Sequence, residues 1–440
     1  MALQRFKLML VYIRHLIPIA WTLLSEKAKG LFHKLTYRTT ESCKNVVIIG
    51  GSFSGLYLAQ KLIQSLPTGH RVVLIDKNSH FNYTFNFPRY SVLQGHEHLA
   101  FIPYDGIAKD APAGIYQHVR GLVTSVTRDT VALETGETIP YTYLAFATGA
   151  TQKPPAGLLA TEAQAGCTEL QDRQKSIMKA KNIAVIGGGA VGVELATDIK
   201  SYYPEKSVTL IHSRERLLPR FGGQLHEKVM DALQKLNIEV RLGERPKLPL
   251  RNENGESEQE RDQSLLFSDG KVVAYDLIVP CTGHRPNSDL VTNLEPDAIS
   301  KSTGRILTQP TLQIVSKDGQ NPRVFALGDV AETEGTLMAR SAYFQAQVVG
   351  ENILNMIQGN DPKTKYVPNL AIEGALKLTV GKSDWLMYVK PAGSAAIIDS
   401  GNNGNEDLDI HIAWKHFGGD MKKTNDLAEK LSLSNSSSRS

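Results

Sequence analysis

The stretch NVVIIGGSFSGLYLAQKL, residues 45–62, combines a short β-branched strand, a glycine-rich turn and the start of a helix. Gly50 and Gly55 occupy the first and last positions of a G-x-G-x-x-G fingerprint, and Ser52 replaces its middle glycine. The first glycine allows a tight turn, the small middle residue lets backbone amides approach a pyrophosphate, and the last glycine allows close helix–strand packing. The stretch therefore predicts a dinucleotide-binding βαβ unit within a parallel α/β sheet.

The next strand supports this interpretation, because RVVLID (71–76) ends in Asp76, twenty-one residues after Gly55. An acid at that distance accepts hydrogen bonds from an adenosine ribose, and the free N–H groups of a helix N-terminus favour a phosphate. A glycine turn alone is a weak signal, whereas strand, turn, helix and acid in register form a strong one.

A second unit of the same kind, KNIAVIGGGAVGVELATDI, spans residues 181–199. Its fingerprint is unmodified, at Gly187, Gly189 and Gly192. The following strand ends at His212, with Arg214 two residues later, so no carboxylate stands at the ribose position. An acid there selects NAD, whereas nearby basic groups favour NADP. If this turn binds a nicotinamide dinucleotide, we expect NADPH to be at least tolerated; a solvent-facing Arg214 with weak preference is the alternative.

The composition of the 440 residues, 41% hydrophobic and 21% charged, is that of a globular protein of about three domains. The widely separated Cys43, Cys167 and Cys281 exclude a disulfide scaffold and a Cys-rich zinc site, and we expect no bound metal. Residues 1–40 hold seven of the 49 basic residues and one of the 45 acidic residues. The remaining 400 residues therefore carry a net charge of −2, and no nucleic-acid partner is expected.

The N-terminal run LMLVYIRHLIPIAWTLL (8–24) is almost wholly apolar. It is shorter than the roughly 20 residues that span a bilayer, and Arg14 near its middle would be costly there. On a helical wheel it has a wide apolar face and a narrow polar arc, into which Leu8 and Val11 intrude. We expect residues 3–24 to bind membrane lipid as an interfacial helix. A mitochondrial presequence, a signal peptide without a convincing cleavage site, and a helix packed on the protein's own surface are the alternatives.

Three further segments, YTYLAFATG (141–149), DLIVPCTGHRPN (276–287) and RVFALGDV (323–330), resemble the remaining cofactor segments of two-dinucleotide-binding-domain flavoproteins. Within that superfamily the chain resembles the apoptosis-inducing-factor-like proteins, which include the ferroptosis suppressor proteins, over about residues 41–417. The stretches that carry this likeness are GGSFSG (50–55), HFNYTFNFPRYSVLQG (80–95), GLVTSV (121–126), YPEKSVTLIHS (203–213) and AWKHF (413–417). The chain departs from the ferroptosis suppressor proteins at Ala2, which excludes their N-terminal myristate.

The resemblance implies an α/β fold with two Rossmann-like domains, an FAD domain interrupted by an NAD(P)H domain, followed by a C-terminal α+β domain. The expected boundaries are 1–40 for the membrane-associating segment, 41–165 and 289–350 for the FAD domain, 166–288 for the NAD(P)H domain, 351–425 for the C-terminal domain, and 426–440 for a disordered tail. FAD contacts are implied at Gly50, Gly51, Ser52, Phe53, Ser54, Gly55, Asp76, Arg89, Val123, Thr148, Gly149 and Asp329. NAD(P)H contacts are expected at Gly187, Gly189, Gly192, Glu194, His212, Arg214 and Gly283, with Glu194 near the nicotinamide.

The expected activity is that of an FAD-dependent NAD(P)H oxidoreductase. Disulfide reductases of this superfamily place a cysteine pair against the flavin, but residues 80–110 contain no cysteine. We therefore expect two electrons to pass to a quinone-type acceptor at a membrane face, cytoplasmic or mitochondrial, with no obligatory catalytic acid or base. The alternatives are a redox signalling protein like apoptosis-inducing factor and a soluble tailoring oxidoreductase that acts on a metabolite.

Overall fold

A computed structural model describes residues 33–40, 42–247, 263–319 and 321–424 of the chain. Nearer the N-terminus it describes residues 6–11, 13, 14, 17, 21, 24 and 30, all of which are helical. The tail expected at 426–440 and residues 248–262 lie outside the described residues.

The first sheet has five parallel strands and is assembled from distant parts of the chain. Its strand order is Val324–Ala326, Tyr143–Phe146, Lys44–Ile49, His70–Asp76 and Tyr116–Arg120. Alternate residues of the strands point to opposite faces, so that Ile48 and Val47 belong to two different apolar clusters. The helix Phe53–Ile63, which we call the first dinucleotide helix, packs on one face together with the helix Ala339–Ile357.

The second sheet has four parallel strands. In sequence, they lie between the strands Tyr143–Phe146 and Val324–Ala326 of the first sheet. Its strand order is Glu239–Arg241, Ser207–Ile211, Asn182–Ile186 and Leu277–Pro280. The helices Ala190–Tyr202, our second dinucleotide helix, and Gly223–Lys235 pack on one of its faces. A small antiparallel pair, Ser264–Leu266 with Val272–Ala274, covers the other face.

Two antiparallel segments, Ala150–Gln152 and His284–Pro286, carry the chain out of the first domain and back into it. An antiparallel sheet of three strands, Val123–Val126, Thr130–Leu133 and Thr138–Pro140, lies beside the first sheet. The other short pairs are Phe81–Asn82 with Phe101–Ile102 and Ile306–Leu307 with Ala331–Glu332. The helices Phe87–Tyr90 and Ala163–Lys179 complete this part of the fold.

The C-terminal part is an antiparallel sheet with short helices on either side of it in sequence. Its strands are Leu376–Val380, Asp384–Val389 and Ile397–Gly401, and its helices are Leu370–Glu373 and Ile410–His416. Trp414 anchors the last helix on the first domain, because its buried ring donates a hydrogen bond to the Leu99 carbonyl at 2.8 Å. The architecture confirms the predicted fold class of two Rossmann-like domains and a C-terminal α+β domain.

The N-terminal segment contacts this C-terminal sheet. Leu8 is only 8% exposed and packs with Ala375, Val389 and Ile397, and Val11 lies against the same cluster. Among the residues that the structure describes, no helix is both long and apolar enough to cross a bilayer.

Candidate dinucleotide and acceptor sites

The first glycine turn has the geometry that its spacing predicted. Gly50 has φ +107°, and a side chain there would meet the Ala147 carbonyl oxygen at 2.3 Å. A side chain at Gly55 would meet the Gly50 carbonyl oxygen at 1.8 Å, so the turn and its helix pack as closely as backbones can. No side chain caps the N-terminus of the first dinucleotide helix, and its free N–H groups are available to a pyrophosphate.

Asp76 lies at the end of its strand directly over this turn. Its carboxylate accepts hydrogen bonds from the Gly51 amide at 2.5 Å and the Asn78 amide at 2.7 Å. Burial raises the pKa of Asp76, and these two amides oppose that rise. The Tyr104 ring lies against Gly51 and stacks near His118, with ring centroids 4.4 Å apart. Sequence reasoning missed both rings, since nothing local to IPYDG or YQHVR marks them as neighbours of the turn.

Contacts of the turn that carries Asp329 bring this residue to the first glycine turn. A side chain at Gly328 would meet the Ser54 hydroxyl at 1.9 Å, so the second FAD segment rests on the first. The buried Gln345 holds this turn, because its side-chain carbonyl accepts a hydrogen bond from the Gly328 amide at 2.7 Å. Burial raises the pKa of Asp329, while the cationic neighbours Arg305 and Arg220 and nearby His284 lower it.

The crossing segments place the remaining expected FAD residues. The Thr148 hydroxyl donates a hydrogen bond to the Asn287 backbone carbonyl at 2.7 Å. The side-chain amide of Asn287 donates a hydrogen bond to the Thr148 backbone carbonyl at 2.8 Å. Gly149 and Gly283 both have positive φ, of +63° and +83°. Val123 is buried at the start of its strand in the three-stranded antiparallel sheet. If the segments TGAT (148–151) and GHRPN (283–287) had been paired in the sequence analysis, the contact between Thr148 and Asn287 could have been predicted.

Arg89 is committed to contacts elsewhere in the protein. Its guanidinium forms a 2.8 Å ion pair with Asp198 of the second dinucleotide helix, and both side chains are 1% exposed. It also donates to the carbonyls of Gly381, Lys382 and Glu406 in the C-terminal part, at 2.6, 3.3 and 3.2 Å. Arg89 therefore ties three parts of the fold together, and the FAD contact that the resemblance implies for it stays a prediction.

We expect Arg89→Met to lower the free energy of unfolding by about 3–5 kcal/mol, because it leaves Asp198 buried without its cation. Burial already raises the pKa of Asp198 to about 6 against the pull of Arg89, and its second carboxylate oxygen has no hydrogen-bond partner among the described residues. Thermal and denaturant unfolding of the purified protein measure the loss. Adding Asp198→Asn to the variant should recover part of it, and a single variant as stable as the parent contradicts the argument.

The second glycine turn repeats the first closely. Gly187 has φ +131°, and a side chain there would meet the Cys281 carbonyl oxygen at 2.5 Å. A side chain at Gly192 would meet the Gly187 carbonyl oxygen at 1.9 Å. Gly189, by contrast, has no atom within 4 Å of the position that its side chain would take. The second dinucleotide helix also begins without a side-chain cap. These two turns form cradles that fit the pyrophosphates of two dinucleotides.

His212 takes the place that Asp76 has in the first turn. Its Nδ1 accepts a hydrogen bond from the Gly188 amide at 3.1 Å, as Asp76 accepts one from Gly51. Burial and the nearby Arg214 lower the pKa of His212, so the position holds a neutral acceptor in place of a carboxylate. Arg214 lies exposed at the rim of the same turn.

Glu194 extends from the first turn of the second dinucleotide helix toward the C-terminal sheet. One of its carboxylate oxygens accepts hydrogen bonds from the Thr379 amide at 3.1 Å and hydroxyl at 3.2 Å. Burial raises the pKa of Glu194 to about 7, and Asp198, one helical turn away, adds to the rise, whereas Thr379 and Arg89 oppose it. A carboxyl group with this pKa holds or releases a proton near neutral pH.

A group of rings meets at the N-terminus of the first dinucleotide helix. This aromatic cluster consists of Phe53, Tyr57, Phe81, Tyr83, Phe85, Tyr343, Phe344, His416 and Phe417. The Phe53 ring lies 4.8 Å from the Phe85 ring, and the Phe85 side chain is 53% exposed. The rings come from the first dinucleotide helix, from the helix Ala339–Ile357, from the 80–86 segment, and from the helix Ile410–His416 and the residue after it.

A separate cavity of about 570 Å³ opens between the three parts of the fold. It is lined by Phe221 of the second domain, by Glu332 and Met338 after Asp329, and by Tyr388 and Lys390 of the C-terminal sheet. Its volume lies in the usual range for small-molecule sites. Within the described part of the chain, no group of three or more His, Cys, Asp or Glu side chains is placed to hold a metal ion.

The sequence profile of the pyridine nucleotide-disulphide oxidoreductase family matches residues 44–348. Fe-regulated protein 8 of Mycosarcoma maydis is 34% identical over 397 residues, which cover 85% of this chain and 95% of that protein. Ferroptosis suppressor protein 1 of Mus musculus is 31% identical over 349 residues, covering 77% of this chain and 87% of that protein. The sulfide:quinone oxidoreductase of Aquifex aeolicus superposes with a TM-score of 0.66 at 18% identity, covering 88% of this chain and 92% of that one. The chain therefore belongs to the pyridine nucleotide-disulphide oxidoreductase family, as an apoptosis-inducing-factor-like oxidoreductase whose cofactors are FAD and NAD(P)H.

Proposed function

We propose that this protein transfers two electrons from NAD(P)H to a quinone-type acceptor at a membrane face. The observation that carries the proposal is the aromatic cluster, which includes Tyr83 and Phe85 from the segment where disulfide reductases hold their cysteine pair. The cluster begins at Phe53, within the glycine turn that cradles FAD. The name of the Aquifex aeolicus neighbour shows that the same fold serves a quinone in that protein.

The cluster suits a flat, apolar acceptor. The exposed Phe85 ring and the partly exposed Tyr343 ring offer faces and edges on which a quinone ring can stack, and aromatic pairs contribute about 0.5–1.5 kcal/mol beyond the area that they bury. Within the cluster, Tyr57 and Tyr343 meet edge to face at 5.5 Å, which leaves the rings rigid before an acceptor binds. Burial raises the pKa of the Cys167 and Cys281 thiols to about 12. Neither thiol is therefore suited to carry electrons as a thiolate.

The residues of this chain bind and orient, while the cofactors supply the reactivity. FAD, held by the first glycine turn, would supply the two-electron transfer from NAD(P)H to the acceptor. The two glycine turns hold the pyrophosphates, and Asp76 and Asp329 accept hydrogen bonds from sugar hydroxyls. Glu194, for which the resemblance implies a position near the nicotinamide, exchanges a proton there. Each turnover converts NAD(P)H, one proton and a quinone into NAD(P)⁺ and a hydroquinone.

A membrane location fits a lipid-soluble acceptor, and we propose that residues 3–24 bind lipid on the cytoplasmic or mitochondrial face of a membrane. Seven of the described apolar side chains in this segment are exposed, among them Trp21 at 74%. Tryptophan is enriched at the level of lipid headgroups because its ring is apolar and its N–H is polar.

Steady-state oxidation of NADH and NADPH by the purified, FAD-loaded chain tests the proposal. We expect short-chain quinones to accelerate oxidation well beyond the rate with oxygen alone, with ping-pong kinetics if NAD(P)⁺ leaves before the quinone binds. Phe85→Ala should raise the KM for quinone and leave reduction by NAD(P)H unchanged, whereas Val272→Ala, at an exposed apolar residue of the second domain, should change neither.

If no quinone outperforms oxygen, the proposal is wrong. Turnover of a polar metabolite would then favour a tailoring oxidoreductase. Retention on DNA at physiological salt would favour a signalling protein like apoptosis-inducing factor.

The coenzyme preference has its own prediction. Because His212 and Arg214 replace the ribose-binding acid, NADPH should be used at least as well as NADH. Arg214→Glu should shift the ratio of kcat/KM values toward NADH by roughly tenfold or more, since a factor of ten corresponds to about 1.4 kcal/mol. Glu215→Gln, one residue along the same exposed loop, is the control. An unchanged ratio in Arg214→Glu would show that this side chain does not contact the 2′-phosphate.

A further inference from the structure

The N-terminal segment has two apolar faces with different surroundings. Leu8 and Val11 are three residues apart and therefore lie on one side of the helix. They are the two apolar residues that interrupt its polar arc, and they are also the two that contact the body of the protein. Seven other described apolar residues are exposed: Phe6, Met9, Leu10, Ile13, Ile17, Trp21 and Leu24.

The exposed residues occupy the opposite side of the helix. At 100° per residue they fall within an arc of about 120°, and the centre of that arc lies roughly opposite the midpoint between Leu8 and Val11. Lys7 and Arg14 are exposed at one border of the arc. A helix packed only for its own stability would turn its broad apolar face inward, whereas here the narrow face is inward and the broad face is outward.

The inward face rests on a defined part of the catalytic body. Leu8 contacts Ala375 and Val389, and the neighbours of these two residues in sequence, Gly374, Tyr388 and Lys390, line the 570 Å³ cavity. Leu370, at another point of the cavity lining, is itself an exposed apolar residue. The docked helix therefore lies beside the cavity, at the end of the C-terminal sheet where the strand Asp384–Val389 finishes.

We propose that Leu8 and Val11 clamp the N-terminal helix to the C-terminal sheet while its opposite face lies in the headgroup region of a lipid bilayer. The clamp makes the helix part of the catalytic body and sets the orientation of that body on the membrane. Lys7 and Arg14 lie at the border of the outward apolar face, where cationic side chains reach anionic headgroups. The fixed orientation of the body also sets where the aromatic cluster, the acceptor site of the proposed function, lies relative to the lipid.

Two double variants of the full chain separate the two faces. Ile13→Asn/Ile17→Asn places polar groups on the outward face, and Leu8→Asn/Val11→Asn places them on the clamp. In sedimentation with phosphatidylcholine vesicles that contain phosphatidylserine, the outward variant should lose binding by about tenfold or more, since two large apolar side chains no longer enter the lipid. The clamp variant should pellet as the parent does, because its outward face is intact.

The clamp itself is tested by two further measurements. In the clamp variant we expect faster amide hydrogen exchange in the strand Asp384–Val389, and at least a severalfold lower rate with a long-chain quinone embedded in the vesicles. Its rate with a water-soluble short-chain quinone should equal that of the parent. The quinone arm rests on the proposed function, but sedimentation and hydrogen exchange do not, so that failure of every quinone would overturn only that function.

Three results would overturn this inference. The first is equal sedimentation of the outward variant and the parent, which would show that lipid does not cover the outward face. The second is a clamp variant that loses vesicle binding as fully as the outward variant, which would show that the two faces are not distinct. The third is unchanged hydrogen exchange in Asp384–Val389 of the clamp variant, which would show that Leu8 and Val11 do not dock.

Discussion

Gly192→Ala is expected to yield a protein that keeps its flavin and is reduced by NAD(P)H roughly a hundredfold more slowly than the parent. The new methyl group would lie 1.9 Å from the Gly187 carbonyl oxygen, so the turn and its helix have to separate. The backbone N–H groups that face the coenzyme pyrophosphate then move out of register. Loss of two such charge-assisted hydrogen bonds, each worth about 1.5–3 kcal/mol, accounts for at least this factor.

The corresponding substitution in the first glycine turn tests FAD binding. Gly55→Ala would bring a methyl group 1.8 Å from the Gly50 carbonyl oxygen, and this variant should lose FAD instead. Gly223→Ala is the matched control, since the atom nearest to the added carbon, Arg216 Nη1, lies at 3.6 Å, an ordinary contact distance. Flavin content is read from the absorbance of the purified protein, and reduction from anaerobic stopped-flow traces. Gly192→Ala that is reduced at the parent rate would show that the second turn does not bind the nicotinamide coenzyme.

Asp329→Ala should release most of the FAD. Its carboxylate lies on the turn that Gly328 presses against Ser54, where the resemblance places the ribityl hydroxyls of FAD. Removing a charged acceptor costs about 1.5–3 kcal/mol, or roughly a ten- to hundredfold weaker affinity. Asp329→Asn keeps an acceptor oxygen without the charge and should fall between the parent and the alanine variant.

The control for this experiment is Asp297→Ala, which removes an exposed acid of the same domain. Flavin released on gel filtration and the dissociation constant from flavin titration give the two readouts. Stoichiometric flavin in purified Asp329→Ala would contradict the role assigned to this carboxylate.

The cofactor cradles could be predicted from the sequence because their determinants are local. A glycine whose side chain would collide with a backbone carbonyl five residues earlier is required wherever a strand, turn and helix pack this tightly, and Gly55 and Gly192 both show this collision. The acid that follows one turn, Asp76, and the histidine that follows the other, His212, end adjacent strands of their sheets, so parallel pairing brings them to the turns.

The acceptor side could not be predicted in this way. Phe53 and Tyr57 come from one helix, Phe85 from the short 3-10 helix Thr84–Asn86, Tyr343 from a helix some 290 residues after Phe53, and Phe417 from the end of the helix Ile410–His416. None of these rings has a local pattern that marks it, and the family likeness alone directed attention to the 80–95 and 413–417 stretches.

The amino-acid sequence by itself determined two dinucleotide units, their order and the amphipathic character of the N-terminal segment, because each depends on spacing within about thirty residues. Only the tertiary structure decided that Arg89 pairs with Asp198, that nine rings form one cluster, and that Leu8 and Val11 face the C-terminal sheet. These contacts join residues between about thirty and nearly four hundred positions apart. Their partners are selected by which surfaces the packed sheets bring together, and the spacing of residues along the chain carries no record of that choice.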